Sequence, residues 1–145
     1  MAAALPLVMA AVSAVGTFSA GQSQKKMADY NAAVSEQDAI AAKNKAGYEE
    51  NIHRERVKEM LSKQRAIIGA SGTDVSGSPL LAMIDTAEKG ELDALAIRQG
   101  GKVQSDKFLN SAALSRMQGK SARNASYFKA GSTLLTGGYK AYKAA

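Results

Sequence analysis

Gly69-Ala-Ser-Gly-Thr-Asp-Val-Ser-Gly-Ser-Pro79 decides how this 145-residue chain folds. Three glycines, three serines, Thr73, Asp74 and Pro79 fall within eleven residues. Such a mixture supplies positions for positive φ, side chains that compete for backbone hydrogen bonds, and a ring that cannot continue a preceding helix. Ser78-Pro79 also restarts a helix, because serine accepts from the freed N–H groups of a first turn and proline's missing donor is no loss there. On either side, residues 25–68 and 79–124 are runs of nearly equal length, each about 65–70 Å long if helical at ~1.5 Å per residue. The stretch therefore predicts an all-α chain, two long helices joined by a Gly/Ser/Pro turn as an antiparallel hairpin. The predicted divisions are an apolar Ala/Gly-rich segment over 1–24, a first helix over 25–68, the turn over 69–79, a second helix over 80–124, and a basic, aromatic tail over 125–145.

Composition argues against a private core. Aromatics make up 6% of the chain, with three Phe and no Trp, while alanine is abundant. A monomer built this way buries little apolar area per residue, so the fold is expected to be completed by oligomerisation. No cysteine is present, which excludes disulfides and thiolate metal sites. The net charge of +6 is uneven: after Asp93 nine basic residues face Asp106 alone, giving +8, and the first 93 residues carry the balancing −2. A basic half favours phosphate-bearing partners, nucleic acid or anionic lipid. Lys120, Arg123, Lys129, Lys140 and Lys143 are the candidate phosphate or headgroup contacts; solubilising lysines that happen to cluster are the plain alternative.

Residues 1–24 contain no charged side chain. A bilayer span needs about 20 mainly apolar residues, and this segment has the length but is diluted by Ala, Ser, Gly and Thr. Leu5, Leu7, Val8, Val12, Val15 and Phe18 are its bulky groups. Gly16 with Ala20, and Ala10 with Ala14, form small-xxx-small pairs that permit close helix approach. Three readings stay open: a secretory signal without its usual basic start, a helix buried between subunits, and a conditional membrane segment that is protected while packed against other copies. Leu5, Leu7, Val8, Val12, Val15, Gly16, Phe18 and Ala20 are the candidate membrane or subunit contacts.

Beyond Lys25, Met27, Val34, Ala41 and Tyr48 recur every seven residues, with Tyr30 and Ile52 extending the stripe, which is coiled-coil-like spacing. The register then slips to Val57, Met60, Leu61, Gln64 and Ile68. In the second helix Leu80, Leu81, Ile84 and Ala87 open an amphipathic pattern that Gly90, Gly100, Gly101 and Gly119 interrupt. Each interior glycine costs a helix about 1 kcal/mol relative to alanine. The pair at 100–101 marks either a kink or a place where another helix packs closely.

No catalytic constellation is legible. His53, the sole histidine, sits among Asn51, Arg54 and Glu55 on a charged helix face and lacks metal-ligand partners. Asp85, Glu88, Glu91 and Asp93 near a helix start are explained by its macrodipole. Gly69-Ala-Ser-Gly-Thr lacks the GxxxxGK[ST] spacing, its lysine and a preceding strand, so it is not a nucleotide loop. The expectation is a non-enzyme with no cofactor, no metal and no small-molecule substrate.

The block Gln64-Arg-Ala-Ile-Ile-Gly-Ala-Ser-Gly-Thr-Asp-Val-Ser-Gly-Ser-Pro-Leu-Leu81, followed by Asp85-Thr-Ala-Glu-Lys-Gly-Glu-Leu-Asp-Ala-Leu95, resembles the central block of small internal virion proteins, the ejection or core proteins, of tailed bacteriophages. The layout resembles the smallest internal core protein of short-tailed phages: an uncharged Ala/Gly-rich start, a long helix, a turn and a second long helix over about residues 25–135. The resemblance implies a protein packaged in the virion interior near the portal or tail, expelled with the genome, and reassembled in the host cell envelope as part of a DNA conduit. Implied partners are further copies of the chain, other internal virion, portal or tail components, genomic DNA and the host membrane. A murein-cleaving site is not visible. Two other classes stand beside it: a structural virion or scaffold adaptor, and a nucleic-acid-packing protein using the basic half.

Overall fold

The turn places its glycines where left-handed backbone is required. In the computed structural model, which describes residues 4–72 and 76–143 (backbone only for 4–7, 10 and 141), α1 runs Ala4–Ala70 and α2 runs Ser78–Lys143. At the end of α1 the amide of Ser71 donates to the carbonyls of Ile67 and Ile68, and Gly72 donates to Gly69 O at 3.3 Å. Gly72 takes φ +69°, the left-handed conformation that ends many helices and that Cβ-bearing residues resist. The Ser71 hydroxyl donates to Ile68 O at 2.7 Å, occupying another terminal carbonyl. On the far side Gly77, at φ +67°, lends its carbonyl to Leu81 N at 3.1 Å and so caps α2. Ser78 and Pro79 are thus already inside the first turn of α2, one step earlier than the sequence pattern places them.

The helices pack antiparallel, as the contacts show. In the unit formed by Met1–Glu36 with Leu109–Ala145, called unit 1, Gly21 meets Ser126 and Ala28 meets Gly119. In unit 2, Gln37–Phe108, Ala46 meets Gly101 and Val57 meets Gly90. Within each unit a step forward along α1 is matched by an equal step back along α2, which defines the helical hairpin.

Small side chains form the contact. The buried apolar residues are Ala14, Ala32, Ala39, Ala46, Met83, Ala94 and Ala112, and among the described residues no large side chain is fully buried. On α1, Thr17, Ala28, Ala39, Glu50 and Leu61 recur every eleven residues, as do Ala46, Val57 and Ile68; all are buried or half-buried. On α2 the same spacing links Met83, Ala94 and Ser105, then Thr86, Ile97, Phe108, Gly119 and Ala130, and also Gly90, Gly101 and Ala112. Eleven residues in three turns is 3.67 per turn, close to the natural winding, so this seam follows the helix without the underwinding that a seven-residue repeat imposes.

That spacing overturns the seven-residue stripe. Met27, Tyr30 and Tyr48 are about 70% exposed, and Val34 and Ala41 are exposed too. The buried face is the alanine-rich one, because small residues let backbones approach where Tyr and Met would hold them apart. The helices extend beyond the two central runs: α1 crosses from residue 24 to 25 without interruption, α2 continues from 124 through 143, and α2 passes Gly100-Gly101 unbroken. Gly101 is the close approach: a Cβ there would overlap the Ala46 Cβ and lie 3.4 Å from Ala42 O. His53 is half-buried on the contact face with Nε2 lacking a hydrogen-bond partner, not solvated.

Candidate functional site

Unit 1 concentrates the features that suggest a partner. It holds eight basic residues against Asp29 and Glu36, a net +6, whereas unit 2 holds eleven of each sign and is neutral. The whole charge of the protein therefore belongs to unit 1. Both of its acids are taken up in ion pairs. Arg116 Nη1 lies 2.6 Å from Glu36 Oε1, and Lys25 Nζ lies 2.5 Å from Asp29 Oδ2. The hydrogen bond to Glu36 holds the Arg116 pKa above its ordinary value. Lys120, Arg123, Lys129, Lys140 and Lys143 have no carboxylate partner among the described residues, and no acid follows Asp106 in the chain. Lys120, Lys129, Lys140 and Lys143 are exposed; Arg123 is half-buried, and its Nε is enclosed without a partner.

The apolar candidates divide between faces. Val8, Val12 and Val15 are exposed on α1, on the side opposite Ala14, Thr17 and Gly21. Phe18 turns toward α2, and its ring meets Tyr127 at 5.4 Å between centroids, tilted by 49°, a favourable aromatic geometry. Gly16 has open space where a Cβ would be and Ala20 is exposed, so the Gly16/Ala20 pair does not carry the contact within the chain; Gly21 does, against Ser126. The side chains of Leu5, Leu7 and Ala10 lie outside the described residues. Bulky groups that received less weight from sequence are as exposed: Phe128, Leu135, Tyr139 and Tyr142 on α2.

Hydroxyl groups in unit 1 are turned inward on their own helices. Ser13 donates to Met9 O, Thr17 to Ala14 O, Ser126 to Arg123 O, Ser132 and Thr133 to Lys129 O, and Thr136 to Ser132 O, at 2.7 to 3.0 Å. Bonds of this kind satisfy the donor locally, so a Ser/Thr-rich helix face can meet an apolar surface without stranding polar groups.

Unit 2 carries an ion-pair network across its two helices. Arg98 grips Glu50 with Nε at 2.9 Å and Nη2 at 2.5 Å, Arg54 Nη1 reaches the same carboxylate at 2.5 Å, and Arg54 also clamps Glu91 at 2.5 and 3.1 Å. The alternating chain Arg98–Glu50–Arg54–Glu91 ties the helices together at their one buried carboxylate, Glu50. Its pKa is held below the ordinary value, first by the Arg98 hydrogen bond, with burial opposing and the charges of Arg98 and Arg54 adding. Glu91 is lowered and Arg54 raised, each chiefly by their mutual hydrogen bond. Glu91 belongs to the acidic group that the sequence ascribes to the helix macrodipole; the eleven-residue recurrence that includes Glu50 is the signal that one carboxylate is buried.

Among the described residues no group of three His, Asp or Glu side chains is placed to hold a metal ion, and no helix is long and apolar enough to cross a membrane. No protein-family model, curated protein or solved structure matches the chain.

Proposed function

We propose that the chain is an internal virion protein of a tailed, especially short-tailed, bacteriophage, packaged near the portal and delivered into the host envelope, where copies of it help form a genome-translocation conduit. The supporting observation is the split in character between the two units. A neutral, ion-paired unit 2 keeps the hairpin together through travel, while unit 1 presents uncompensated positive charge beside exposed Val, Phe, Leu and Tyr. The resemblance of residues 64–95 to ejection proteins supplies the class, and the scarcity of large buried side chains fits a subunit completed by its own copies. The five C-terminal basic residues, Lys120 to Lys143, also favour a second reading, a DNA-packing protein held inside the particle.

Quantitative mass spectrometry of particles made by the same genome, before and after triggered genome release, tests both. The proposal expects the protein in full particles and its loss from emptied ones. Retention at unchanged stoichiometry in emptied particles makes it a structural adaptor, loss that follows residual DNA rather than the emptied shell supports the packing reading, and absence from particles ends all three.

A further inference from the structure

At 100° per residue, Phe128, Leu135, Tyr139 and Tyr142 fall within about 60° of one another around α2, and they are exposed by 67 to 85%. Ser126, Ala130, Thr133 and Gly137 occupy the opposite, buried or half-buried side. Lys143 and Lys120 flank the apolar stripe on its two sides, each about 70° from its centre, and Lys129 lies about 110° away, whereas Lys140 and Arg123 sit about 130° round, next to the contact face. No acid interrupts this part of α2. Aromatic and leucine side chains flanked by lysines on a helix too polar to span a bilayer form the pattern of a segment lying in the membrane interface. We infer that this stripe docks α2 in the plane of an anionic lipid surface, with the rings at the acyl boundary and the lysine stems extended to the headgroups.

This places the lipid contact on α2 and not on residues 1–24, and it rests on the proposed function only for the source of the lipid. A second copy is the other candidate occupant. Stripe against stripe would set the flanking Lys120, Lys129 and Lys143 against basic residues of the other copy with no carboxylate beyond Asp106 to separate them, a like-charge arrangement that association disfavours. An anionic surface meets the same lysines with the opposite sign.

Flotation of the full chain with phosphatidylcholine vesicles, and with vesicles containing about 30% phosphatidylglycerol, tests the inference at low salt and at about 0.5 M. Two triple variants accompany the wild type: Phe128→Gln, Leu135→Gln, Tyr139→Gln on α2, and Val8→Gln, Val12→Gln, Val15→Gln on α1. All six positions are exposed and glutamine is a good helix former, and retained helicity by circular dichroism confirms folding. The wild type is expected to prefer the anionic vesicles about tenfold or more and to lose that preference at high salt. The α2 variant loses about tenfold in partitioning and the α1 variant stays within about twofold. Equal wild-type binding to both vesicle types overturns the inference without reference to any variant. So does an α2 variant that binds like the wild type, or one whose main change is a smaller assembly mass in lipid-free solution. A protein that leaves the particle with its genome yet ignores vesicles removes the inference and leaves the proposed function; vesicle binding by a protein absent from particles does the reverse.

Discussion

Unit 1 and unit 2 are built from the same two helices and the same small-residue contact, yet they treat charge in opposite ways. In unit 2 eleven acids balance eleven bases, and a buried carboxylate is shared by arginines of both helices. In unit 1 two acids face eight bases, and the ion pair between the helices is the partly exposed Glu36–Arg116. A buried alanine contributes on the order of 1 kcal/mol, so an alanine seam alone specifies little, and any register one turn away would bury similar area. Bidentate Arg–carboxylate pairs have fixed geometry, and one slipped turn would leave the buried Glu50 without Arg98, its partner on the other helix. Unit 2 therefore sets the register, and unit 1 follows it while keeping its charge and its bulky groups for something outside the chain.

The strongest way to break this comparison is to force the helices apart at a close approach in each unit. Gly101→Leu is expected to destabilise the protein by about 3 kcal/mol or more, because its Cβ would occupy the place of Ala46 Cβ with backbone immediately behind. Gly119→Leu in unit 1, whose Cβ would stand 2.7 Å from Ala28 Cβ and 3.4 Å from Lys25 Cα, should cost less, about 1–2 kcal/mol. Urea unfolding midpoints of the two variants measure the difference. Equal losses would remove unit 2's claim to set the register.

Hydrogen exchange resolves the same contrast residue by residue. Amides between residues 39 and 57 and between 94 and 108 should exchange about tenfold more slowly than those between 14 and 32 and between 112 and 130 at low salt. Raising salt to about 0.5 M should narrow the gap, since screening relieves the self-repulsion of unit 1. Uniform protection at low salt would show that the charge difference has no energetic consequence.

Acid sharpens the role of Glu50. Its folded-state pKa lies below the unfolded value of about 4.3, so its stabilisation is fully present above that value and is lost as pH falls through the depressed folded pKa. Glu91 behaves in the same direction. Thermal melts should therefore fall as the pH drops below the ordinary carboxylate range, and Glu50→Gln should lower the melting temperature at neutral pH while flattening that acid limb. An unchanged limb in the variant would place the acid sensitivity elsewhere.

How much of this was legible depends on which side chains carry the signal. Gly72 and Gly77 marked the turn because positive φ has few other occupants, and with the turn came the hairpin. The packed face was harder. Sequence reading ranks positions by bulk, and Met27, Tyr30, Val34 and Tyr48 outrank any alanine, yet in a seam this close bulk is what must stay outside. Alanine and glycine are common on both faces of these helices, so only the eleven-residue recurrence separates the buried ones. The candidate site was readable in its lysines, which charge counting finds in any conformation. Phe128, Leu135 and Tyr139 were read as a tail because the glycines among them lower helix propensity, a weak preference that continuation of the hairpin contact through Ser126, Ala130 and Gly137 overrides.

Adjacent glycines provide the smallest and most selective test. Gly100 and Gly101 have the same intrinsic effect on helix propensity and both lie inside α2, but a Cβ on Gly100 would meet nothing within 4 Å. Replacing Gly100 with alanine removes backbone freedom from the unfolded chain and adds no clash, which should stabilise the protein by about 0.5–1 kcal/mol. Gly101→Ala gains the same entropic term and must also accommodate a methyl where Ala46 already sits, so its net effect should be unfavourable. Opposite signs from neighbouring, chemically identical substitutions cannot arise from propensity or from the local sequence, only from which face meets α1. If both variants are stabilised, the helices at this level are farther apart than the Ala46–Gly101 contact requires, and the case for unit 2 as the register-setting half loses its closest contact.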